Sequence, residues 1–222
     1  MYTQAYENRN IDQAEINRNG KLITSFDFVD CKSAEKIEIN RRDATIFRGE
    51  FEEIEFSQEA WLMDTNEIEG NEKDEWRSVQ LIRLYGTHIK KLKTPRFSNV
   101  IANWFHDDAE DGKAFVHSDL LLDEVEISGV ANVHNAEIEK LTVQASGEIT
   151  IDGTHGSKLD MCRVFGTLHL NGLIPFRHIE LYPGGRIRVW NIEKDDDIPR
   201  FVGMRGNVLI QKARDGGFWY FG

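Results

Sequence analysis

The chain has 222 residues, 40% of them apolar, and a formal charge of −11, which excludes pure disorder and argues against a general nucleic-acid binder, whose contacting face needs an excess of Lys and Arg. Its two cysteines, Cys31 and Cys162, are too few for a disulfide framework or a zinc knuckle and read as buried free thiols. No run approaches the roughly 18 apolar residues of a membrane span, and Met1 to Gln4 lacks the basic and apolar regions of a signal peptide, so the expectation is a chain made in the cytosol with no membrane partner.

Residues 1–21 carry Asn8, Asn10, Asn17 and Asn19 but few apolar residues, and read as an N-terminal arm or cap over a sheet edge. Alternation of apolar residues starts at Leu22, with Phe26-Asp-Phe28, Ile37-Glu-Ile39, Ala44-Thr-Ile46 and Ile54-Glu-Phe56, the period of strands. Residues 57–78 interrupt it with Trp61, Trp76 and an acidic run. Strand signal returns at Leu81 to Leu84, Ile89, Leu92 and Val100 to Ala102, and a second interruption covers 103–113. Both interruptions read as loops thrown out from the winding, and such loops tend to gather on one side.

From Val125 to Ile210 one phrase recurs: two alternating apolar residues, a gap, a glycine, two more alternating apolar residues. Leu141-Thr-Val143 leads to Gly147 and Ile149-Thr-Ile151; Leu159-Asp-Met161 leads to Gly166 and Leu168-His-Leu170; Ile179-Glu-Leu181 leads to Gly185 and Ile187-Arg-Val189. The glycines 129, 147, 166, 185 and 206 are 18, 19, 19 and 21 residues apart, a spacing that Greek-key connections have no reason to produce. The predicted fold is therefore all-β: a single-stranded right-handed β-solenoid, or β-helix, over 22–215, with about 18–19 residues per coil, about nine coils, two projecting loops and terminal caps. The glycines are expected at one corner, supplying a permissive backbone. Residues 216–222 form an aromatic tail, which reads either as a cap on the last coil or as a docking plug.

Polysaccharide cleavage by a β-helix needs two carboxylates at equal phase in adjacent coils, and Asp160 with Glu180 is the candidate pair. A charged, solvated outer face is the plainer reading. His134, His155 and His169 fall at different offsets from their glycines and do not form a shared metal site. The acids before Gly112 and Asp195 to Asp197 lack a calcium-loop spacing. No phosphate loop, serine elbow or Cys-His arrangement is present, so neither catalysis nor a cofactor is expected.

Charge placement says more. Glu50 to Glu75 holds eleven acids and one base, whereas Arg77, Arg83, Lys90, Lys91, Lys93 and Arg96 follow without an acid. Residues 158–222 carry +3 and residues 1–157 carry −14, a polarity suited to directional association, including with another copy of the chain. Val125 to Val189 resembles the β-helical shafts of phage tail fibres and the polymer-forming bactofilins. The long insertions, asparagine-bearing arm and aromatic tail look more like a viral or phage structural protein, which would place the chain in a virion. The leading expectation is a non-enzymatic assembly protein that binds other protein subunits through its ends and loops, with Phe218, Trp219, Tyr220 and Phe221 in the tail and Glu67, Glu69, Glu72, Asp74 and Glu75 in the first insertion as contacts. The alternatives are an acidic mimic of nucleic acid built on the 50–75 window, and a carbohydrate-active β-helix.

Overall fold

In the computed structural model, which describes residues 2–18, 23–57, 80–103, 120–153, 156–172, 174–192, 207–212 and 218–221, each coil gives one strand to each of two parallel sheets. The chain opens with β1 (Tyr2–Glu7) and a short helix α1 (Gln13–Arg18). Seven coils follow: β2 (Ile23–Val29) with β3 (Lys32–Ile39), β4 (Asp43–Phe47) with β5 (Glu50–Phe56), β6 (Gln80–Tyr85) with β7 (His88–Thr94), β8 (Ser98–Ala102) with β9 (Leu120–Ile127), β10 (Val130–His134) with β11 (Ala136–Val143), β12 (Glu148–Asp152) with β13 (Lys158–Val164), and β14 (Thr167–Asn171) with β15 (Phe176–Leu181). β16 (Arg186–Ile192), β17 (Asn207–Lys212) and β18 (Phe218–Phe221) extend the first sheet. The long sheet thus runs β1-β2-β4-β6-β8-β10-β12-β14-β16-β17-β18, and the short sheet β3-β5-β7-β9-β11-β13-β15 in space.

The solenoid and its period agree with the glycine spacing. Glu148 pairs with Thr167 and Thr167 with Arg186, a repeat of 19 residues. Seven two-strand coils replace the nine expected because two steps are long: Asp43 pairs with Leu81 and Asn99 with Val130.

Inward positions of the long sheet stack as expected, with Ile149, Ile151, Leu168, Leu170, Ile187 and Val189 all buried. At the first coils the core is aromatic: Tyr6 and Phe28 stack with centroids 5.4 Å apart, and Phe26 and Phe51 pack on Phe28. Cys31 and Cys162 are free and buried, and burial pushes both thiols up, away from the reactive thiolate.

Two corners join the sheets, and they are built differently. Where the short sheet returns to the long one, the carbonyls of Gly129, Gly147 and Gly166 accept hydrogen bonds from the N–H groups of Glu148, Thr167 and Arg186 at 2.8–2.9 Å, so the glycines do stack. None has a positive φ, so conformational freedom is not the reason for glycine. A Cβ at Gly166 would lie under 3.0 Å from the carbonyl oxygens of Gln144 and Gly147, and one at Gly147 would do the same to Ile127; the coils approach too closely for a side chain. Ser98 and Gln80 occupy this column in earlier coils. Both are buried, and Gln80 spends its Nε2 on the carbonyls of Arg41 (2.5 Å) and Ile39 (3.3 Å).

At the opposite corner the chain turns through the left-handed region at Asn8, Asp30, Arg48, Gly86, Asn103, Asn135, Gly172 and Asn191, with φ between 44° and 81°. Asn and Asp tolerate this region better than other side chains do. The exception, Arg48, sits over the Phe47 ring and pairs with Asp30 at 2.6 Å.

Residues 2–18 close the first coil. β1 pairs parallel with β2. Beside it Ile11 N–H donates to the Lys32 carbonyl, and the Gln13 side chain accepts from Glu38 N–H (2.6 Å) while donating to the Glu38 carbonyl (3.2 Å). Gln13 therefore stands in for a strand on the outer edge of β3. Asp12 caps α1 through Glu15 N–H at 2.7 Å, and Ile11 and Ile16 are buried.

The two insertions leave from opposite corners rather than one side. The first precedes β6, where the chain enters the long sheet; the second follows β8, where it leaves that sheet.

Candidate interaction face

Six of the seven strands of the short sheet break their alternation once, placing two successive residues outward between inward ones: Glu52 and Glu53, Lys90 and Lys91, Asp123 and Glu124, Glu139 and Lys140, Asp160 and Met161, Arg177 and His178; β3 places three, Ala34 to Lys36, outward. Strand stacking then aligns these outward residues into columns. One column reads Lys36, Glu53, Lys91, Glu124, Lys140, so the sign alternates at every step. Cross-strand partners of opposite sign attract, and the face is a lattice of ion pairs. Lys32 meets Glu50 at 2.8 Å, Lys140 meets Glu124 at 3.0 Å, His88 meets Asp123 at 3.0 Å and Lys36 meets both Glu53 and Glu55. Further along, Lys158 pairs with Glu137, Arg177 with Asp160 at 3.2 Å and Arg163 with Glu180 at 3.2 Å. The hydrogen bonds in these pairs, and in that of Lys90 with Glu52, hold the Lys36, Lys90 and Lys140 ammoniums above their ordinary range and the Glu50, Glu55 and Glu124 carboxyls below theirs.

The outer face of the long sheet is different. Its middle strands present Leu81, Arg83 and Tyr85, then Asn99 and Ile101, then Val130, Asn132 and His134, with Arg83 as the only residue among these eight that is always charged. Val130 is 46% exposed. Charge returns towards the ends, acidic on early strands (Asp27, Asp43) and basic on a late one (Arg186, Arg188). These four and Arg83 make no ion pair among the described residues, whereas His134 and His169 hold Asp152 and Glu148 at 3.1 and 3.0 Å. His169 is 3% exposed and stacks on Trp190 with centroids 4.8 Å apart. Its Nδ1 has no hydrogen-bond partner among the described residues, and burial lowers its pKa despite the nearby Glu148.

The sequence-predicted residues fall into four groups. Phe218 to Phe221 form β18, which pairs antiparallel with β17, Trp219 opposite Ile210 and Phe221 opposite Val208; this is the main-chain arrangement of a cap. Glu67, Glu69, Glu72, Asp74 and Glu75 lie outside the described residues, as do the acids before Gly112 and Asp195 to Asp197. Asp160 and Glu180 are not in one column. Leu159 aligns with Phe176 and Arg163 with Glu180, so the carboxylates differ by three positions in phase, and each is engaged by an arginine. Hydrogen bonds from Tyr182 and His178, and the charge of Arg163, hold Glu180 below the usual carboxyl range, opposite to the requirement of a general acid. Of the histidines, His134 and His169 occupy different columns and His155 lies outside the described residues. Among the described residues no cluster of His, Cys, Asp and Glu suits a metal ion, and no helix is long and apolar enough to cross a membrane.

No family model, curated protein or solved structure matches this chain. What it does must be argued from its own surfaces. Sequence reasoning missed the long-sheet face because its residues are unremarkable one by one. The signal that would have found it is the register: reading outward positions down a column instead of along the chain separates the face of alternating charge from the face whose middle strands are almost uncharged.

Proposed function

We propose that the chain is a non-catalytic assembly module that binds a protein surface through the outer face of its long sheet. The observation that carries this is the contrast in charge satisfaction. Charges on the short sheet are largely neutralised by neighbours one coil away, and such a pattern attracts little at a distance. Among the described residues the long sheet keeps charges without ion-pair partners at its ends and an almost uncharged centre that includes the half-buried Leu81, Tyr85 and Ile101 and the exposed Val130, the layout of an interface core with a polar rim. Docking through the ends has less support at the first coil, where residues 9–13 already pair the edge of β3.

The finer reading, a phage or viral structural component, rests on the long insertions, the asparagine-bearing arm and the aromatic tail, together with the likeness of Val125 to Val189 to tail-fibre shafts, and belongs to the same proposal. The nucleic-acid mimic is less well supported, since Glu50, Glu52, Glu53 and Glu55, the described acids of its window, pair with Lys32, Lys90 and Lys36. A photo-cross-linking residue at Val130 in native cells should give higher-mass protein adducts, while one at Glu139 on the short sheet should give none. Adducts from Glu139 alone, or from neither site, would remove the proposal.

A further inference from the structure

We infer that the partner of the long-sheet face is a second copy of this chain, packed face to face with the two solenoids antiparallel. The inference rests on the assembly reading above and names its partner.

Three observations lead to it. The first is the order of unpaired charges along the rod. Asp27 and Asp43 stand on β2 and β4, Arg186 and Arg188 on β16, and none of the four has an ion-pair partner among the described residues. An acid at one end and bases at the other of the same flat face complement one another only when a second face is turned end for end.

The second is register. A two-fold axis along the strand direction, between β8 and β10, sets β2 against β16, β4 against β14, β6 against β12 and β8 against β10, and keeps each outward column facing itself. Asp27 and Arg188 belong to one column, linked through Thr45, Arg83, Ile101, Asn132, Thr150 and His169. The axis therefore places Asp27 of each copy opposite Arg188 of the other, twice by symmetry. Asp43 faces Thr167, one coil from Arg186, in the neighbouring column. At the centre Ile101 meets Asn132 and Val130 meets Asn99, so the most exposed apolar side chain of the face lies near the axis. A parallel pairing would set Asp27 on Asp27 and Arg188 on Arg188.

The third is area. From β2 to β16 the face is eight strands long, roughly 35 Å by 17 Å for strands of five residues, or about 600 Å². Two such faces would bury about 1,200 Å² together, the lower end of the range of specific interfaces. The short sheet offers the same area with most of its charges already paired.

The test uses the purified full chain in sedimentation equilibrium, with circular dichroism confirming the fold of each variant. The parent should have twice the monomer mass of 25.6 kDa. Asp27→Arg alone and Arg188→Asp alone should each weaken the dimer at least about ten-fold, since like charges then face each other at both symmetric contacts. The double variant, with both reversals in one chain, should return to within a few-fold of the parent, because the pair is rebuilt across the interface with its signs exchanged. Val130→Lys, at the centre, should dissociate the dimer without touching either end. A monomeric parent, a dimer indifferent to these changes, or a double variant no better than the single ones would overturn the inference. A monomeric parent that still cross-links from Val130 to another protein in cells would remove the second copy and leave the assembly reading intact. No adduct from Val130 would remove both.

Discussion

The two corners of this solenoid solve one problem, turning the chain from sheet to sheet, under opposite constraints. At the corner of Gly129, Gly147, Gly166 and Gly185 the limit is distance: dihedrals are ordinary and successive coils leave no room for a Cβ. At the corner of Asn8, Asp30, Arg48, Gly86, Asn103, Asn135, Gly172 and Asn191 the limit is the backbone angle, and side chains are accepted; a Cβ on Gly172 would meet nothing within 4 Å. Glycine at a repeat corner therefore has two meanings, and only the sign of φ with the space around the residue tells them apart.

The sharpest test is Gly166→Ala. The atoms it meets are backbone carbonyl oxygens held in the coil ladder, so the cost should reach or exceed the roughly 3 kcal/mol at the top of the overpacking range, read as a drop in the denaturant midpoint with unchanged m-value. Gln80→Ala probes the same column where a side chain fills it. Leaving the Ile39 and Arg41 carbonyls without the Gln80 amide should cost about 1–3 kcal/mol, less than the glycine clash. At the other corner Asn135→Val forces a β-branched residue to a φ of 44°, for about 1–2 kcal/mol, whereas Asn135→Gly should be neutral or slightly stabilising. If Gly166→Ala and Gly172→Ala prove equally mild, the distinction between the corners is wrong.

The smallest effect concerns pH and separates corners from faces, because no glycine or asparagine at a corner titrates. His169 has a folded pKa below its ordinary 6.5, so the unfolded chain binds its proton first on acidification. The stability it contributes is complete above pH 6.5 and declines as pH falls through that value towards the folded pKa. Comparing urea midpoints of parent and His169→Gln between pH 7.5 and 5.5 should show a shallower decline in the variant; parallel curves would show that folding leaves the pKa of His169 unchanged.

Much of this architecture was legible in the sequence because long-sheet strands alternate cleanly and their glycines recur at nearly constant spacing. The inward row from Ile149 to Val189 followed directly. The short sheet was harder. Its paired outward residues, such as Glu139 and Lys140, break the period-two pattern, so sequence alternation alone aligns Leu159-Asp-Met161 with Ile179-Glu-Leu181, whereas the neighbour of Leu159 in space is Phe176. The apparent Asp160 and Glu180 pair comes from this shift. α1 was invisible for another reason: six residues are too few for a helical signal, and the contacts that hold it, Gln13 to Glu38 and buried Ile16, are tertiary.

The reversal of the last strand bears on how far such a rod can be lengthened. Parallel strands offer evenly spaced, slanted hydrogen bonds, whereas an antiparallel edge alternates narrow and wide pairs. β18 runs against all its predecessors, so a further copy placed tail to head would have its β1 meet an edge of inverted polarity, while Gln13 already occupies the β3 position where the short sheet would have to continue. A parallel continuation of the winding therefore finds no matching edge at β18, and at β3 it would first have to displace Gln13.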